Sequence, residues 1–363
     1  MKFKFLKVFA PAVAIAGIAL GQAQAPIFEL DPSWPKIPAK WKMGDASSIA
    51  VDKQDHLWVL SRPRTVPAAD AAKAAPPVTV FDASGNFIKS WGGDGAGYDW
   101  PQREHGILID GKGNVWLAGT NCIGRSLPGL KNVGDDQYLK FTQDGKFLLQ
   151  VGKPSGNTGN ADTKSFRQPA DASYYAKNNE VFVADGYGNH RVIVIDADTG
   201  AFKRMWGAYG NKPVDNAPCP PVSLKSVPPG DGPQQFSIVH SLRVSSDGMV
   251  YVADRENRRV QVFTVEGKFV KQVIKHDTPF ARNVALSPDQ RFLYVGDEKS
   301  IHVYDRKSMD LLTTITGGGL IGGGHEMQTD SKGNLYVALT GRGMQKLTFK
   351  GLGPAKATTS ASR

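Results

Sequence analysis

The sequence contains no segment in which apolar residues recur with the 3.6-residue period of an α-helix. Beyond its first 20 residues it also has no apolar run long enough to span a bilayer. These absences argue against a helical domain and against a second membrane span. What remains is a series of short segments rich in Val, Trp, Tyr and Leu, separated by turns of Gly, Asn and Asp, which favours an all-β fold.

The N-terminus has the features of a secretory signal peptide. Three lysines precede an apolar stretch at residues 8–20, and the small residues Ala-Gln-Ala follow at 23–25. We expect residues 1–25 to be a signal peptide and the protein to be secreted or periplasmic. A retained membrane anchor is the alternative, which the shortness of the stretch and the presence of Pro11 and Gly17 disfavour.

Cysteine is scarce, because Cys122 and Cys219 are the only two. A structural zinc site takes four ligands, so these two thiols alone make a poor zinc site. In an exported chain, one disulfide is the default expectation for a pair of cysteines, and two unpaired thiols are the alternative.

The charge is modestly basic. Lys and Arg number 44 against 34 Asp and Glu, a net charge of +10, and loss of three signal-peptide lysines leaves 41 against 34, or +7. The basic residues are scattered and form no stripe with interleaved aromatic residues, which argues against nucleic acid as a partner. We expect instead a mild attraction for a small anionic or peptide substrate.

One unit recurs six times along the chain. Each copy is a strand, a polar turn, and a second strand rich in Val, Trp, Tyr and Leu. The copies occupy residues 48–60, 106–118, 173–185, 242–254, 284–297 and 326–339. Most copies continue into a third and a fourth strand, as in RVQVFTVEGKFVKQV. Six four-stranded antiparallel units without helices predict a six-bladed β-propeller.

The propeller is expected to cover residues 26–350 and to be closed by an N-terminal strand. After the sixth copy only one strand remains, at residues 344–350, which leaves the last blade one strand short. The segment IFEL (27–30) lies outside all six copies and can supply the missing outer strand, pairing an otherwise open edge. The remaining residues, 351–363, are expected to form a polar, disordered tail.

Three of the seven histidines share one position in the repeat. His105, His240 and His325 stand at the head of the first strand in the second, fourth and sixth copies. Alternate blades of a six-bladed ring lie about 120° apart with their inner strands around the channel, so the three imidazoles are expected to meet on the axis. Three neutral imidazoles with an open fourth position suit a catalytic Zn²⁺. For any one of these histidines taken alone, the alternative is that it caps a strand or packs in the channel. The other four are expected at the surface: His56 in a turn, His190 in a loop, His276 in a connection and His302 in an outer strand.

Loops that follow the second strands border the same end of the channel, because antiparallel strands alternate in direction. These loops contain Arg62, Tyr187 and Arg255, from the first, third and fourth blades. Two guanidiniums suit a substrate carboxylate, and a phenol beside a cation can act as a base. Each of the three can equally be an ordinary loop residue. Cys122 and Cys219 are expected on this face too.

Several motifs resemble known proteins. VADGYGNHR (183–191) and VADRENRRVQVF (252–263) resemble NHL repeats. Together with HGILID, QPADAS, VHSLRV and GHEMQTD, they make the chain similar to the peptidyl-α-hydroxyglycine α-amidating lyase family, whose fold is a six-bladed NHL-like propeller. The resemblance implies that the three axial histidines bind zinc. It also implies that Tyr187 is the catalytic base and that Arg62 and Arg255 contact the substrate.

The same resemblance implies a structural calcium ion. Its ligands here are the backbone carbonyls of Ile49 and Ile107 and the side chain of Glu326. The sequence departs from the family pattern in three places: Glu326 stands where Asp is usual, Gly323 where Met is usual, and Gly188 where a disulfide cysteine is usual.

The reaction that the resemblance implies is cleavage of a carbinolamide, an N–C(OH) group, into an amide and glyoxylate. Two other classes stay open. One is a propeller that serves as a binding platform without chemistry. The other is a metal-dependent propeller hydrolase or lactonase, which calls for carboxylates on the axis where this sequence has imidazoles.

Overall fold

The computed structural model describes residues 23–125, 129–215, 230–275, 280–320 and 322–355. These ranges contain 24 β-strands and three short 3-10 helices, at Pro63–Thr65, Ala68–Lys73 and Ala208–Gly210. In chain order the strands are β1 (Gln24–Asp31), β2 (Asp45–Val51), β3 (Leu57–Arg62), β4 (Val78–Phe81), β5 (Phe87–Trp91), β6 (Glu104–Ile109), β7 (Val115–Gly119), β8 (Tyr138–Phe141), β9 (Phe147–Val151), β10 (Asp171–Tyr175), β11 (Glu180–Asp185), β12 (Arg191–Asp196), β13 (Phe202–Trp206), β14 (Val239–Val244), β15 (Met249–Asp254), β16 (Arg259–Thr264), β17 (Phe269–Ile274), β18 (Asn283–Leu286), β19 (Phe292–Gly296), β20 (Ile301–Asp305), β21 (Leu311–Ile315), β22 (Glu326–Thr329), β23 (Leu335–Leu339) and β24 (Gly343–Pro354).

The strands form six four-stranded antiparallel sheets, the blades of a propeller. Blades 1 to 5 are β2–β5, β6–β9, β10–β13, β14–β17 and β18–β21, and blade 6 has the order β1-β24-β23-β22. The first strands of successive blades contact each other in turn, and β22 returns to contact β2, which closes the ring. The predicted six-bladed β-propeller is thus confirmed. Within the described ranges, none of the helices has the length and apolar character needed to cross a bilayer.

Strands from both ends of the described chain form blade 6. This confirms the prediction that an N-terminal strand supplies its missing outer strand. In the β1–β24 pair, Phe28 lies opposite Phe349 and Leu30 opposite Leu347. The pairing extends further than expected, because β1 already begins at Gln24 and β24 continues to Pro354. Residues 351–354 therefore belong to the propeller and not to a tail, and the predicted signal cleavage site falls inside β1. Residues 1–22 and 356–363 lie outside the described residues.

The first turn of blade 2 shows how the repeat uses its Asp and Gly. In blade 2 the Asp110 carboxylate accepts hydrogen bonds from the backbone N–H groups of Lys112 and Asn114 and from the Trp116 indole. Gly113 has a φ of 83°, a left-handed conformation that side chains disfavour. The acid thereby satisfies the turn and ties it to the aromatic side chain that the second strand buries between blades.

Candidate metal centre

The three axial histidines stand at the inner end of alternate blades. His105 lies in β6, His240 lies in β14, and His325 immediately precedes β22. The register of strand pairing shifts between Glu104 and Ile107, and again between Val239 and Ser241. Such bulges redirect a side chain relative to the regular pleat, which here turns the imidazoles towards the channel.

The imidazoles meet on the axis, as predicted. The ring centroids of His105 and His325 are 4.5 Å apart, those of His240 and His325 are 4.8 Å apart, and those of His105 and His240 are 5.0 Å apart. One ligand nitrogen from each residue lies within 4.8 Å of the others. Among the described residues, these three histidines form a group of metal-ligating side chains that can share one metal ion.

Backbone carbonyls of the intervening blades hold the rings. Nδ1 of His105 lies 2.8 Å from the carbonyl oxygen of Ala170, just before β10, and Nδ1 of His325 lies 2.6 Å from that of Ser47 in β2. For His240 the corresponding carbonyl is that of Arg282, just before β18. This carbonyl acts to raise the His240 pKa, against the larger lowering by burial. Neither ring nitrogen of His240 has a partner with good hydrogen-bond geometry. Anchoring through Nδ1 leaves Nε2 of His105 and His325 for a metal.

The surroundings keep the three imidazoles neutral. Burial lowers the pKa of His105, His240 and His325 well below the usual value, and neighbouring groups lower it further. Among these neighbours, the charge of Arg62 acts on His105 and His325, and the charge of Arg255 acts on His240 and His325. Neutral imidazole is the form that donates a lone pair to a metal, so the donor set fits an ion such as Zn²⁺.

Tyr187 and Arg255 extend the centre on one side. Tyr187 follows β11, is buried, and places its hydroxyl 3.1 Å from Nε2 of His105. Arg255 follows β15 and donates a hydrogen bond from Nη1 to the Tyr187 hydroxyl at 2.9 Å. Burial acts to lower the pKa of Arg255, but Tyr187 and Glu256 outweigh it, and the pKa is raised. The phenol thus lies between an imidazole and a guanidinium that remains charged.

Arg62, the last residue of β3, lies on the other side. Its Nε donates to the carbonyl oxygen of Glu104 at 2.8 Å, and the side chain is 4% exposed. Its Nη2 is buried and has no hydrogen-bond partner among the described residues. Burial, helped by the charge of Arg103, lowers the Arg62 pKa to about 10, which leaves the guanidinium charged at neutral pH. A buried guanidinium donor without a protein partner is available to an anion or a water molecule.

The residues expected to bind calcium are buried, and an arginine lies beside one of them, Glu326. Glu326 Oε2 is 3.6 Å from Arg243 Nη2, and Arg243 Nη1 is 2.5 Å from Asp171 Oδ2. The Ser241 hydroxyl lies within hydrogen-bond distance of both carboxyl groups and can donate to either. Oε1 of Glu326 lies 3.6 Å from Nδ1 of His240. Ile49 and Ile107 are buried in β2 and β6. The Arg243 guanidinium therefore brings a positive charge of the protein's own next to Glu326, a contact that the sequence does not predict.

Two of the histidines expected at the surface are buried instead. His190 is 8% exposed, and His302 is 7% exposed. His302 lies in the third strand of blade 5, where its Nε2 is 2.8 Å from Asp297 and its ring packs against Phe280. Third strands are covered by neighbouring blades, so the expectation of a surface position was wrong. His56 is a half-buried turn residue next to Asp52, and His276 lies outside the described residues.

The predicted disulfide stays a prediction. Cys122 is buried after β7, on the face of the propeller that also carries the three histidines. Cys219 lies outside the described residues.

Comparison with known proteins agrees with this architecture. Residues 236–263, which include His240 and Arg255, match the NHL repeat. The chain is 27% identical to the NHL repeat-containing protein 3 of Mus musculus over 283 residues, or 75% of this chain and 67% of that protein. It is 30% identical to the peptidyl-glycine alpha-amidating monooxygenase B of Xenopus laevis over 70% of this chain and 26% of that protein. It is 28% identical to the peptidyl-alpha-hydroxyglycine alpha-amidating lyase 1 of Drosophila melanogaster over 46% of this chain and 27% of that protein. The chain is thus a six-bladed propeller with an NHL repeat, similar both to alpha-amidating enzymes and to NHL repeat-containing protein 3.

Proposed function

We propose that this protein is a zinc-dependent carbon–nitrogen lyase that cleaves a carbinolamide, a peptidyl- or acyl-α-hydroxyglycine, into an amide and glyoxylate. The observation that carries the proposal is the meeting of three neutral imidazoles with a phenol and an unsatisfied buried guanidinium in one channel. The similarity to alpha-amidating enzymes supports the reaction class, and the axial imidazoles support zinc.

His105, His240 and His325 would hold the ion, which supplies a Lewis acid that polarises the substrate hydroxyl. Holding the rings by Nδ1 fixes their orientation before a metal arrives, so little rearrangement of the backbone is required. Glu326 Oε1 lies 3.6 Å from Nδ1 of His240, close enough to orient that ring when a metal draws it in.

Tyr187 would act as the base. As a phenolate it takes the hydroxyl proton while the C–N bond breaks and the C=O bond of glyoxylate forms. The amide nitrogen gains one proton, so the reaction consumes and releases no net proton. The Arg255 hydrogen bond at 2.9 Å stabilises negative charge on the phenol oxygen and holds it beside the centre.

Arg62 would bind the substrate carboxylate. Its buried Nη2 lacks a partner, and a carboxylate placed there satisfies the donor and balances the charge. Because Nε is held by the Glu104 carbonyl, the guanidinium plane is fixed and can select an orientation of the substrate.

We propose in addition that Arg243 takes the part that a calcium ion would have in the channel. Its guanidinium faces the carboxyl groups of Asp171 and Glu326, and burial together with Asp171 raises the pKa of Glu326 well above its usual value, so no divalent ion is required to balance the charge. We also propose that the protein acts outside the cytoplasm, on the basis of the pattern at residues 1–25. The N-terminal mass of the protein recovered from its native host tests the latter.

The metal assignment is tested by elemental analysis of the untagged protein. We expect about one zinc per chain, lost in His240→Ala and kept in His56→Ala, which removes a turn imidazole instead. Full zinc retention in His240→Ala overturns the assignment. Glyoxylate release from synthetic α-hydroxyhippurate, measured on the same samples, then tests the reaction.

A binding platform without chemistry is the second candidate, and the similarity to NHL repeat-containing protein 3 favours it. Absence of both zinc and glyoxylate release would support this candidate. Zinc without release would instead indicate another carbinol substrate or a metal-dependent hydrolase.

A further inference from the structure

A cavity of about 230 Å³ lies beside the metal centre and is not needed for the proposed chemistry. His325 forms part of its wall, together with Arg282, Glu298, Thr340 and Arg342. Because His325 is also one of the three axial residues, a molecule held at the centre can extend directly into this cavity. Its volume is below the roughly 300 Å³ at which drug-sized ligand pockets begin, so it suits one short chemical group and not a length of peptide.

Arg282 lies at the start of the first strand of blade 5, near the channel. It immediately precedes β18 in blade 5, as His325 immediately precedes β22 in blade 6, and in the repeat it stands at the sequence position that the three histidines occupy in the second, fourth and sixth copies. Its backbone N–H donates to the carbonyl of Gly296, as that of His325 donates to Ala338. Its charge lowers the pKa of both His240 and His325. The Arg282 side chain, which is 37% exposed, lines the same cavity as His325.

The wall of the cavity favours an anion. Two guanidiniums and one carboxylate in the wall sum to a formal charge of +1. The ion pair between Arg282 and Glu298 is long, at 3.7 Å, and its side chains are 37% and 55% exposed. A pair so open to water contributes little and can exchange for a ligand. Arg62 and Arg255 already have parts in the proposed reaction, so Arg282 and Arg342 are additional positive charges.

We propose that this cavity is a subsite for a second carboxylate, carried by the acyl half of the substrate. The inference rests on the proposed function and narrows its substrate class to carbinolamides with two carboxylates. The α-carboxylate lies with Arg62, and a short acyl chain ending in another carboxylate reaches Arg282 and Arg342. Guanidinium groups recognise carboxylates by paired hydrogen bonds, which a neutral amide cannot reproduce.

The test compares two isosteric substrates, N-succinyl-α-hydroxyglycine and its neutral terminal amide, N-succinamoyl-α-hydroxyglycine. We expect kcat/KM for glyoxylate release to be about ten- to a hundredfold higher for the succinyl compound, mainly through KM. Arg282→Gln and Arg342→Gln should each reduce this ratio. Arg291→Gln is the matched control, because Arg291 lies at the opposite end of the β18–β19 hairpin.

A binding measurement separates this inference from the lyase proposal. Calorimetry on the protein as purified compares succinate with succinamate, its monoanionic amide. Preference for succinate that Arg282→Gln abolishes supports the subsite even if neither carbinolamide is cleaved, in which case only the lyase proposal fails. Equal binding of both ions, or a preference unaffected by both arginine variants, overturns the subsite whatever the catalytic result.

Discussion

The hydroxyl of Tyr187 receives a hydrogen bond from Nη1 of Arg255 at 2.9 Å, although 68 residues separate them in the chain. Tyr187 follows the second strand of blade 3 and Arg255 that of blade 4, so neighbouring blades bring them together. The contact joins a candidate base to a cation that stabilises its ionised form.

The first prediction concerns this phenol. Tyr187→Phe should lower kcat for glyoxylate release by about 10²- to 10⁴-fold, the usual contribution of a positioned acid or base. Zinc content should not change, because the imidazoles are anchored by backbone carbonyls. Tyr98→Phe removes a hydroxyl that donates only to the Gly93 carbonyl and is the control. A Tyr187→Phe enzyme within threefold of wild type would exclude the phenol as the base.

A second prediction follows from the unsatisfied donor of Arg62. Arg62→Gln should raise KM by about tenfold or more, because it removes a buried charge-assisted contact with the substrate carboxylate. Inhibition by added glyoxylate should weaken in parallel. Arg64→Gln tests the specificity of the effect, since Arg64 is more exposed and pairs with Glu104. If both variants behave alike, Arg62 does not bind the carboxylate.

Metal removal should lower stability as well as activity. An ion that binds only the folded chain stabilises it by about 2.7 kcal/mol at a free concentration one hundred times its Kd. Chelator-treated wild type should therefore unfold at a lower temperature and recover when zinc is added back. His105→Gln should show no response to added zinc. A zinc response in that variant equal to that of wild type would place the ion elsewhere.

Arg243 should be required for stability, whereas calcium should not. Arg243→Met leaves the Asp171 and Glu326 carboxylates buried without their cation and should cost about 3–5 kcal/mol of unfolding free energy. Arg243→Lys restores a charge and should recover part of the loss. Chemical denaturation with and without calcium makes the measurement. One bound calcium per chain, with a matching rise in wild-type stability, would contradict the role given to Arg243.

The pH dependence of stability should carry the signature of Asp136. Burial raises its pKa to about 7 from the ordinary 3.8; the Asn157 backbone N–H opposes the rise and Asp185 adds to it. Between these two values the folded state holds the proton more tightly, so stability falls as pH rises. From pH 5 to pH 8 the loss from this group is roughly 2–3 kcal/mol.

Asp136→Asn should reduce that slope, leaving the smaller contribution of Asp135, whose pKa burial raises to about 6. Unfolding free energies of wild type and variant, measured at pH 5 and pH 8, should diverge in favour of the variant at the higher pH. Asp144→Asn, at a side chain that is 87% exposed, should leave the slope as it is in wild type. Parallel curves for wild type and Asp136→Asn would mean that the buried carboxyl titrates normally.

The ring and the meeting of its three histidines could be predicted because each repeat forms one blade. Equivalent positions in different repeats therefore lie at known angles around the propeller axis. Positions of Arg62, Tyr187 and Arg255 followed from strand direction. The roles of Ala170 and Ser47 could not be predicted, because they act through main-chain carbonyls and any residue can supply one. Arg282 had a signal that was not used: it occupies the histidine phase in the fifth copy.

Other features depend on packing that a repeat does not encode. Arg243 reads as an ordinary strand residue, and only the fold brings it to Asp171, 72 positions away in the chain. His302 was assigned to the surface because third strands were treated as outer strands, whereas the neighbouring blades bury them. The sequence predicts that the last strand ends at residue 350, whereas β24 continues to Pro354. Residues 351–354 carry no apolar alternation of their own and form part of the strand through pairing with β1.

Around the axis, histidines alternate with residues that contribute main-chain oxygen atoms. The carbonyls of Ser47 and Ala170 hold two of the imidazoles and that of Arg282 lies near the third, so the side chains at these positions can be exchanged while the carbonyls stay in place. A propeller of this design can retain its ion while acquiring a new preference for the molecule bound beside it. These three positions, one in each of blades 1, 3 and 5, form a starting library for changing that preference.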